Sequence, residues 1–216
     1  MTPRPFRLLA YDFDGTLVDT KEDIAFSVNR VREELGLPPL PPERIFGFIG
    51  RGVTHLVTRS LEGSGFDDLE QAIRLFRKHY RKHLLDRTRF YPQGPEVLSH
   101  FADRRQAILS NKPVEFIERI LERLGERHRF AAVVGGDSVE NKKPHPEGLL
   151  RLMEDQGVTP PDVLLIGDSP IDIETGKNAG VATCGATWGL TPPETLRAAG
   201  PDYLIDSLDG LKRWVL

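Results

Sequence analysis

The chain has 216 residues, with 29 Lys or Arg and 32 Asp or Glu, so its formal net charge is −3. This length can bury a substantial core and leaves room for an inserted segment, while the small net charge does not indicate a highly charged partner such as nucleic acid. The single cysteine, Cys184, excludes an internal disulfide. Because no apolar run suits a signal peptide or a membrane span, we expect a cytoplasmic protein without a membrane partner.

The first predicted strand ends in two acids. Leu8 to Tyr11 is a short apolar run before a turn signal, which predicts a strand buried in a parallel sheet. Asp12 and Asp14 follow, and a buried charge without a partner is so costly that a cation or a reaction must justify it. Ligands of open α/β sheets bind at the carboxyl ends of the strands. Because residues two apart in an extended segment point the same way, both acids can flank one reacting centre.

Two carboxylates at this spacing suit the transfer of a phosphoryl group. Asp12 as nucleophile would form an acyl phosphate, and Asp14 would protonate the leaving oxygen and later deprotonate water. Gly15 permits a sharp turn close to a ligand, and Thr16 adds a hydroxyl and an amide. The alternative is an acidic hairpin turn, because Asp-Gly is a strong hairpin signal. The residues that follow do not resume a strand pattern, which disfavours the hairpin.

A helical segment is predicted after this turn. Thr20 and Asp23 have the spacing of a capping box, with Asp in place of the usual Glu, and Pro42 opens a second, short helix. A longer helix from about Asp67 to Leu85 has one apolar face, and its other faces are basic. Such a basic face is typical of a solvated helix, and it could also attract anionic substrates. Nucleic acid is disfavoured because no aromatic stacking platform accompanies it.

A tight loop in the helical segment presents an arginine. Gly50 and Gly52 flank Arg51, and an exposed guanidinium there can bind an anion through two hydrogen bonds. The same residues suit a plain surface arginine between two helices. Gly50, Arg51 and Gly52 are therefore candidates for substrate recognition.

Beyond Pro92-Gln93-Gly94 the pattern changes to strands that alternate with helices, which predicts a parallel, doubly wound sheet. The predicted fold is α/β, with a three-layer Rossmann-like core built from residues 1–18 and 90–216. The helical segment 19–89, inserted after the first strand, is predicted to form a cap that closes over the site and excludes water.

Two later loops carry residues suited to phosphate. Ser110 and Asn111 follow a predicted strand and offer a hydroxyl and backbone amides, although a plain helix N-cap explains them as well. Lys143 precedes two prolines that make the backbone rigid, and a fixed ammonium would offset the charges of Asp12 and a bound phosphoryl group. The alternative is a charged loop before a helix.

A third acid at a predicted strand end, Asp168, follows Val163 to Ile166. Carboxylates and water suit Mg²⁺, which bridges to phosphate oxygens, so Asp168 is the predicted direct ligand. Asp172, one helical turn further on, is predicted to bind the metal through water or to pair with Lys143. An acidic turn with an N-cap is the alternative.

Four segments together resemble the motifs of the haloacid dehalogenase-like superfamily. They are Asp12 to Leu17 (DxDGT[LV]), the hydrophobic run ending in Ser110, the Lys-Pro-x-Pro sequence from Lys143, and Gly167-Asp168 followed by Asp172. All four occur in order between Leu8 and Gly180. The superfamily's dehalogenases lack the second acid of the first motif, and its phosphatases and phosphomutases have it. The resemblance therefore implies phosphoryl chemistry.

The implied reaction is Mg²⁺-dependent hydrolysis of a small phosphate monoester through phospho-Asp12, with Asp14 as general acid and base. The implied phosphate-binding residues are Ser110, Asn111, Gly15, Thr16 and the catalytic lysine Lys143. The implied metal ligands are Asp12, Asp168 and the backbone carbonyl of Asp14, with Asp172 as a possible further ligand.

The helical segment and the C-terminal part carry a second, looser resemblance. The sequence from Phe48 to Gly52, continuing to Leu61, and Thr187-Trp188-Gly189 are similar to bacterial phosphoglycolate phosphatases. This resemblance implies 2-phosphoglycolate as the first candidate substrate. A cap closed over such a small anion would suit Arg51 as the residue that binds the carboxylate. A sugar phosphomutase of the β-phosphoglucomutase type, a pyrophosphatase, and a regulator that binds a partner through its basic helix are the alternatives. Either a monomer or a dimer is expected.

Overall fold

The computed structural model describes residues 2–216. Its strands are β1 (Leu8–Tyr11), β2 (Val18–Asp19), β3 (Arg89–Phe90), β4 (Arg105–Leu109), β5 (Ala132–Val134), β6 (Val163–Gly167), β7 (Ala182–Ala186) and β8 (Tyr203–Ile205). Its α-helices are α1 (Lys21–Glu34), α2 (Pro42–Phe46), α3 (Val53–Leu61), α4 (Leu69–His83), α5 (Gly94–His100), α6 (Val114–Arg123), α7 (Glu147–Gln156), α8 (Pro170–Ala179) and α9 (Pro193–Ala198). Short 3₁₀ helices lie at Arg127–Arg129, Pro160–Asp162 and Leu208–Arg213.

The main sheet is parallel and has the strand order β5-β4-β1-β6-β7-β8. β1 is central, because Tyr11 pairs with Ile108 of β4 on one side and with Ile166 of β6 on the other. The loops that follow these three parallel strands therefore meet at one edge of the sheet. The predicted α/β fold is confirmed.

Helices cover both faces of this sheet. Leu8 and Ala10 of β1 pack in an apolar cluster with Leu152 of α7, whereas Leu9 and Tyr11 belong to a second cluster that includes residues of α5 and α6. Side chains alternate across a strand, so a strand that is apolar throughout needs cover on both faces. The sheet is accordingly the middle of three layers.

A two-stranded ribbon marks the beginning and the end of the helical segment. β2 and β3 are antiparallel, with Val18 opposite Phe90 and Asp19 opposite Arg89, and α1 to α4 lie between them in the chain. These strands were not predicted, because two residues carry no periodic signal and the partner lies beyond the whole helical segment. Both predicted boundaries fall within the ribbon, and the division into core and cap stays a prediction.

The predicted capping box at the start of α1 is wrong, although the helix begins where it was expected. Thr20 makes no side-chain cap; its hydroxyl donates to Asp14 Oδ1 over 2.6 Å. Asp23 accepts hydrogen bonds from the backbone N–H groups of Arg87 and Thr88 instead. Both side chains therefore form contacts outside their own helix, and Asp23 connects the first helix of the segment to its last residues.

The basic helix is α4, slightly shorter than predicted. Asp68 caps it by accepting a hydrogen bond from the Gln71 N–H, while Phe76 and Tyr80 are buried on its inner face. Within residues 2–216, no helix combines the length and the apolar composition that crossing a membrane requires.

Candidate active site

Asp12 follows β1 directly and is buried at the sheet edge where the three central strands end. Its Oδ1 atom lies 2.9 Å from the Lys143 ammonium, but the approach lacks hydrogen-bond geometry and this buried oxygen has no hydrogen-bond partner. A buried carboxylate oxygen without a hydrogen bond is costly. It is therefore available to a cation or to an electrophile.

Lys143 joins two of the predicted acids. Its ammonium donates to Asp172 Oδ1 over 2.5 Å, and its backbone N–H donates to the side-chain oxygen of Asn111 over 2.9 Å. Burial lowers the pKa of Lys143, but Asp12 and Asp172 outweigh burial and the pKa is raised. Lys143 is therefore a permanent cation between these two carboxylates, and Asp172 is its partner, as one of the two predictions proposed.

Asp168 follows β6 and is enclosed by the two loops beside it. Its carboxylate accepts hydrogen bonds from the Thr16 hydroxyl at 2.9 Å and from the Leu190 N–H at 2.7 Å. Gly15 and Gly189 press against it, since a Cβ atom would lie 2.5 Å from Asp168 Oδ2 at Gly15 and 2.3 Å at Gly189. Burial, with contributions from Asp12 and Asp172, raises the pKa of Asp168 to about 8.

Asp12, Asp168 and Asp172 form a cluster that could hold a metal ion. Each offers one carboxylate oxygen, and these oxygens lie within 4.8 Å of one another. The cluster contains three buried acids and one ammonium, and Asp12 Oδ1 has no hydrogen bond. Oxygen ligands of this kind suit a hard divalent cation, so these residues fit the predicted metal. The backbone carbonyl of Asp14 as a further ligand stays a prediction.

The Asp14 side chain does not belong to this cluster and has other partners. It is partly buried and accepts hydrogen bonds from the Thr20 hydroxyl and from the Lys112 ammonium, at 2.9 Å to Oδ1 and 3.2 Å to Oδ2. Lys112 also donates to the Tyr80 hydroxyl of α4 at 2.8 Å. Sequence reasoning did not single out Lys112. Its one signal was its position between a strand end and the proline that opens the next helix.

Ser110 and Asn111 line the same cavity as Asp12 and Asp14. The Asn111 amide donates to the Gly50 carbonyl at 2.9 Å and to the Lys143 carbonyl at 3.1 Å, so it connects the loop before α3 with the Lys143 loop. The predicted phosphate-binding roles of Ser110 and Asn111 stay predictions. The same holds for Gly15 and Thr16, which lie against Asp168.

The arginine loop is only partly at the cavity. Gly50 and Gly52 line it, whereas Arg51 is exposed and is not among the described residues that line it. Within residues 2–216 its guanidinium forms no hydrogen bond or ion pair. The predicted role of Arg51 in substrate recognition stays a prediction.

Trp188 and Gly189 close the side of the site behind Asp168. The indole N–H of Trp188 donates to the Thr16 carbonyl at 3.1 Å, and Gly189 leaves space for the Asp168 carboxylate. These residues were noticed only through a resemblance, since no chemistry-bearing group marks them in the sequence.

The four predicted motifs thus meet at one sheet edge. A family model described as haloacid dehalogenase-like hydrolase matches residues 9–186, and the chain belongs to this family. The predicted superfamily and the prediction of an enzyme are confirmed.

Proteins similar in sequence and structure indicate the type of hydrolase within this family. The chain is 36% identical to the phosphoglycolate phosphatase of Vibrio parahaemolyticus over 220 residues, which cover 98% of this chain and 96% of the relative. It is 35% identical to the phosphoglycolate phosphatase of Aquifex aeolicus over 201 residues, or 92% of each chain. The crystal structure of a predicted phosphoglycolate phosphatase from Haemophilus somnus 129pt has a TM-score of 0.91 at 30% identity and covers 96% of this chain and 97% of that one. The predicted phosphatase class is confirmed.

Proposed function

We propose that this phosphatase hydrolyses small phosphate monoesters with the help of Mg²⁺, and that 2-phosphoglycolate is its substrate. The observation that carries the proposal is the meeting of Asp12 and Asp14 in one cavity, where Asp12 also contacts Lys143 and forms a cluster with two further carboxylates. The choice of substrate is supported by relatives named phosphoglycolate phosphatase that match nearly the whole chain.

The proposed chemistry has two steps. An Asp12 carboxylate oxygen attacks phosphorus, and the bond to the leaving oxygen breaks as Asp14 donates a proton to it. Asp14 then takes a proton from a water molecule, whose oxygen attacks phosphorus and releases inorganic phosphate and the Asp12 carboxylate. Thr20 and Lys112 hold the Asp14 carboxylate during these transfers. Asp12 and Asp14 are both returned to their starting forms, and the ester and water are converted to an alcohol and inorganic phosphate.

The proposed roles of the other residues concern charge. Lys143, Ser110 and the Asn111 backbone hold the phosphoryl oxygens. Asp12, Asp168 and the Asp14 carbonyl hold Mg²⁺, with Asp172 outside the direct ligands because it pairs with Lys143. When bound, Mg²⁺ supplies positive charge that offsets the charge on the transferring group and orients it.

A panel of small phosphorylated compounds tests the proposal. Phosphate release should be highest with 2-phosphoglycolate, should require Mg²⁺, and should stop when EDTA is added. Conversion of β-glucose 1-phosphate to the 6-phosphate would favour the phosphomutase instead, and preferred hydrolysis of pyrophosphate would favour the pyrophosphatase. If no Mg²⁺-dependent release occurs with any compound, including aryl phosphates, a partner-binding regulator becomes the better explanation.

A further inference from the structure

The cavity between the helical segment and the sheet edge has two unlike sides. It is partly open to solvent, and Asp12 and Asp14 lie on its polar side. The apolar side consists of Ile24, Ile49, Val53, Leu56, Phe76 and Phe116. Apolar walls exclude water, and charges that face each other without water interact more strongly.

Lys112 is the only lysine or arginine among the described residues that line this cavity. Its side chain is 5% exposed, and its ammonium lies 4.5 Å from the centre of the Tyr80 ring. Burial lowers the pKa of Lys112, and the neighbouring Asp14 opposes this effect. A buried ammonium with a single close carboxylate gains from any further anion that enters the cavity.

The other cations near the site do not fill this role. Lys143 lies between Asp12 and Asp172 and is not among the described residues that line the cavity. Arg51 is exposed to solvent and is likewise absent from the described lining. Only Lys112 therefore presents a positive charge to a ligand within the cavity walls that the structure describes.

Lys112 can bind a ligand without releasing Asp14. Asp14 Oδ1 also accepts a hydrogen bond of 2.6 Å from the Thr20 hydroxyl, so it has a second donor. Lys112 reaches both oxygens of Asp14, at 2.9 Å and 3.2 Å, and an ammonium has three N–H groups. One N–H can turn to a bound anion while Asp14 keeps one bond from each donor.

We propose that Lys112 binds the second anionic group of the substrate, the carboxylate of a short phosphorylated acid, and thereby determines specificity. This inference rests on the proposed function, and it assigns to Lys112 the task that the sequence had suggested for Arg51. A phosphoryl group at Asp12 keeps the carboxylate of a short acid inside the cavity that Lys112 lines. An alkyl phosphate of the same length has no carboxylate and therefore cannot form this interaction with Lys112.

The first experiment compares 2-phosphoglycolate with ethyl phosphate, which has the same length but no carboxylate. In Lys112→Met, kcat/KM for 2-phosphoglycolate should fall about 100-fold more than kcat/KM for ethyl phosphate, because one charged hydrogen bond is lost. Each variant is compared with itself, so incomplete folding cancels from the ratio. Lys112→Gln is the second variant, because its amide can still donate to Asp14 and Tyr80 but carries no charge. Lys142→Met, which removes an exposed lysine beside the loop, is the control and should leave the ratio unchanged.

A second experiment measures binding without proton transfer. The inhibitor 3-phosphonopropionate resembles 2-phosphoglycolate but cannot be hydrolysed, and propylphosphonate lacks its carboxylate. The wild-type enzyme should bind the first compound more tightly, and Lys112→Met should lose that preference. A residue that acts only by holding Asp14 would change both inhibition constants by the same factor and leave the preference intact.

The outcomes separate the two proposals. If the wild-type enzyme prefers 2-phosphoglycolate but Lys112→Met lowers kcat/KM for both substrates by the same factor, the proposed role of Lys112 is overturned and the proposed function stands. If Arg51→Met shows the selective loss instead, the carboxylate belongs to Arg51. If the wild-type enzyme does not distinguish 2-phosphoglycolate from ethyl phosphate, the proposed substrate fails and the inference fails with it.

Discussion

Two buried lysines lie near the proposed reacting centre, and their surroundings differ. Lys143 lies between Asp12 and Asp172, and these acids raise its pKa despite burial. Lys112 donates to one acid, Asp14, and to the Tyr80 hydroxyl beside an apolar wall, and burial lowers its pKa although Asp14, Asp12 and Asp23 oppose this. One lysine therefore has two carboxylates in direct contact, and the other has one.

Under the proposed function, this difference lets one small cavity orient a doubly anionic ester. The acid-rich side, with Asp12, Asp168 and Asp172, would hold the divalent cation and with it the phosphoryl group. Lys112 would bind the second anionic group. An ester bound the wrong way round would place a carboxylate against the acids and leave Lys112 without its ligand.

Replacing the proposed nucleophile, Asp12, should have the largest effect, since it would remove the reactive atom. Asp12→Asn should lower kcat by at least about 1,000-fold, because an amide cannot form the acyl phosphate. Phosphate release is the measurement, and circular dichroism checks that the variant is folded. Appreciable turnover by folded, homogeneous Asp12→Asn enzyme would contradict the two-step mechanism.

The two lysines should differ in their contribution to stability. Lys143→Met should lower the free energy of unfolding by about 3–5 kcal/mol in metal-free buffer, because two buried carboxylates lose their cation. Lys112→Met should cost less, about 1–2 kcal/mol, since Asp14 is partly exposed and keeps Thr20 as a donor. Urea unfolding measures both values, and Lys142→Met should change stability by less than about 0.5 kcal/mol. If both substitutions lowered the free energy of unfolding by the same amount, the different surroundings of the two lysines would have no effect on stability.

The acid-rich side should also make stability depend on pH. Unfolded Asp168 ionises near its ordinary pKa, whereas the folded group keeps its proton up to about pH 8. The unfolded state therefore binds fewer protons between these values, and the Asp168 contribution to stability falls as the pH rises, by on the order of 1 kcal/mol per unit. The measurement is the difference between wild type and Asp168→Asn in EDTA from about pH 5 to 7.5. If the free energy of unfolding depended on pH in the same way for both proteins, the raised pKa of Asp168 would be ruled out. Saturating Mg²⁺ should remove the difference in pH dependence.

The smallest effect on activity is expected for the Thr20 hydroxyl, which donates a hydrogen bond to Asp14 as Lys112 does. Thr20→Val should lower kcat about fivefold with little change in KM, because Asp14 loses one hydrogen bond and not its cation. Thr20→Ser retains the hydroxyl and should restore most of the activity. A Ser variant as slow as the Val variant would mean that the methyl group, not the hydrogen bond, is what Asp14 requires.

The acid-rich side could be predicted from the sequence because strand ends leave a local signal. Asp12 and Asp168 each follow an apolar run, and parallel strands bring such residues to one edge whatever the loops do. Lys143 was identified by the two prolines behind it. The proposed catalytic roles of these residues await the measurements described above.

The Lys112 side left no comparable signal. A lysine before a helix is common, and its burial depends on Tyr80, which lies far away in the chain on α4. The capping box predicted at Thr20 and Asp23 was wrong for a related reason. The spacing of these residues suits a helix cap, but their partners, such as Asp14 and Thr88, lie outside the helix. Local patterns cannot reveal partners that only the folded chain brings near.

The hydrogen bond from the Trp188 indole to the Thr16 carbonyl has a practical consequence. The chain contains only two tryptophans, Trp188 and Trp214, and the second packs near Tyr203, away from the catalytic loops. Replacing Trp214 by phenylalanine would leave one indole attached to the loop that carries the nucleophile. Its fluorescence would then report, without any added label, when ligands reach that loop and how fast they leave.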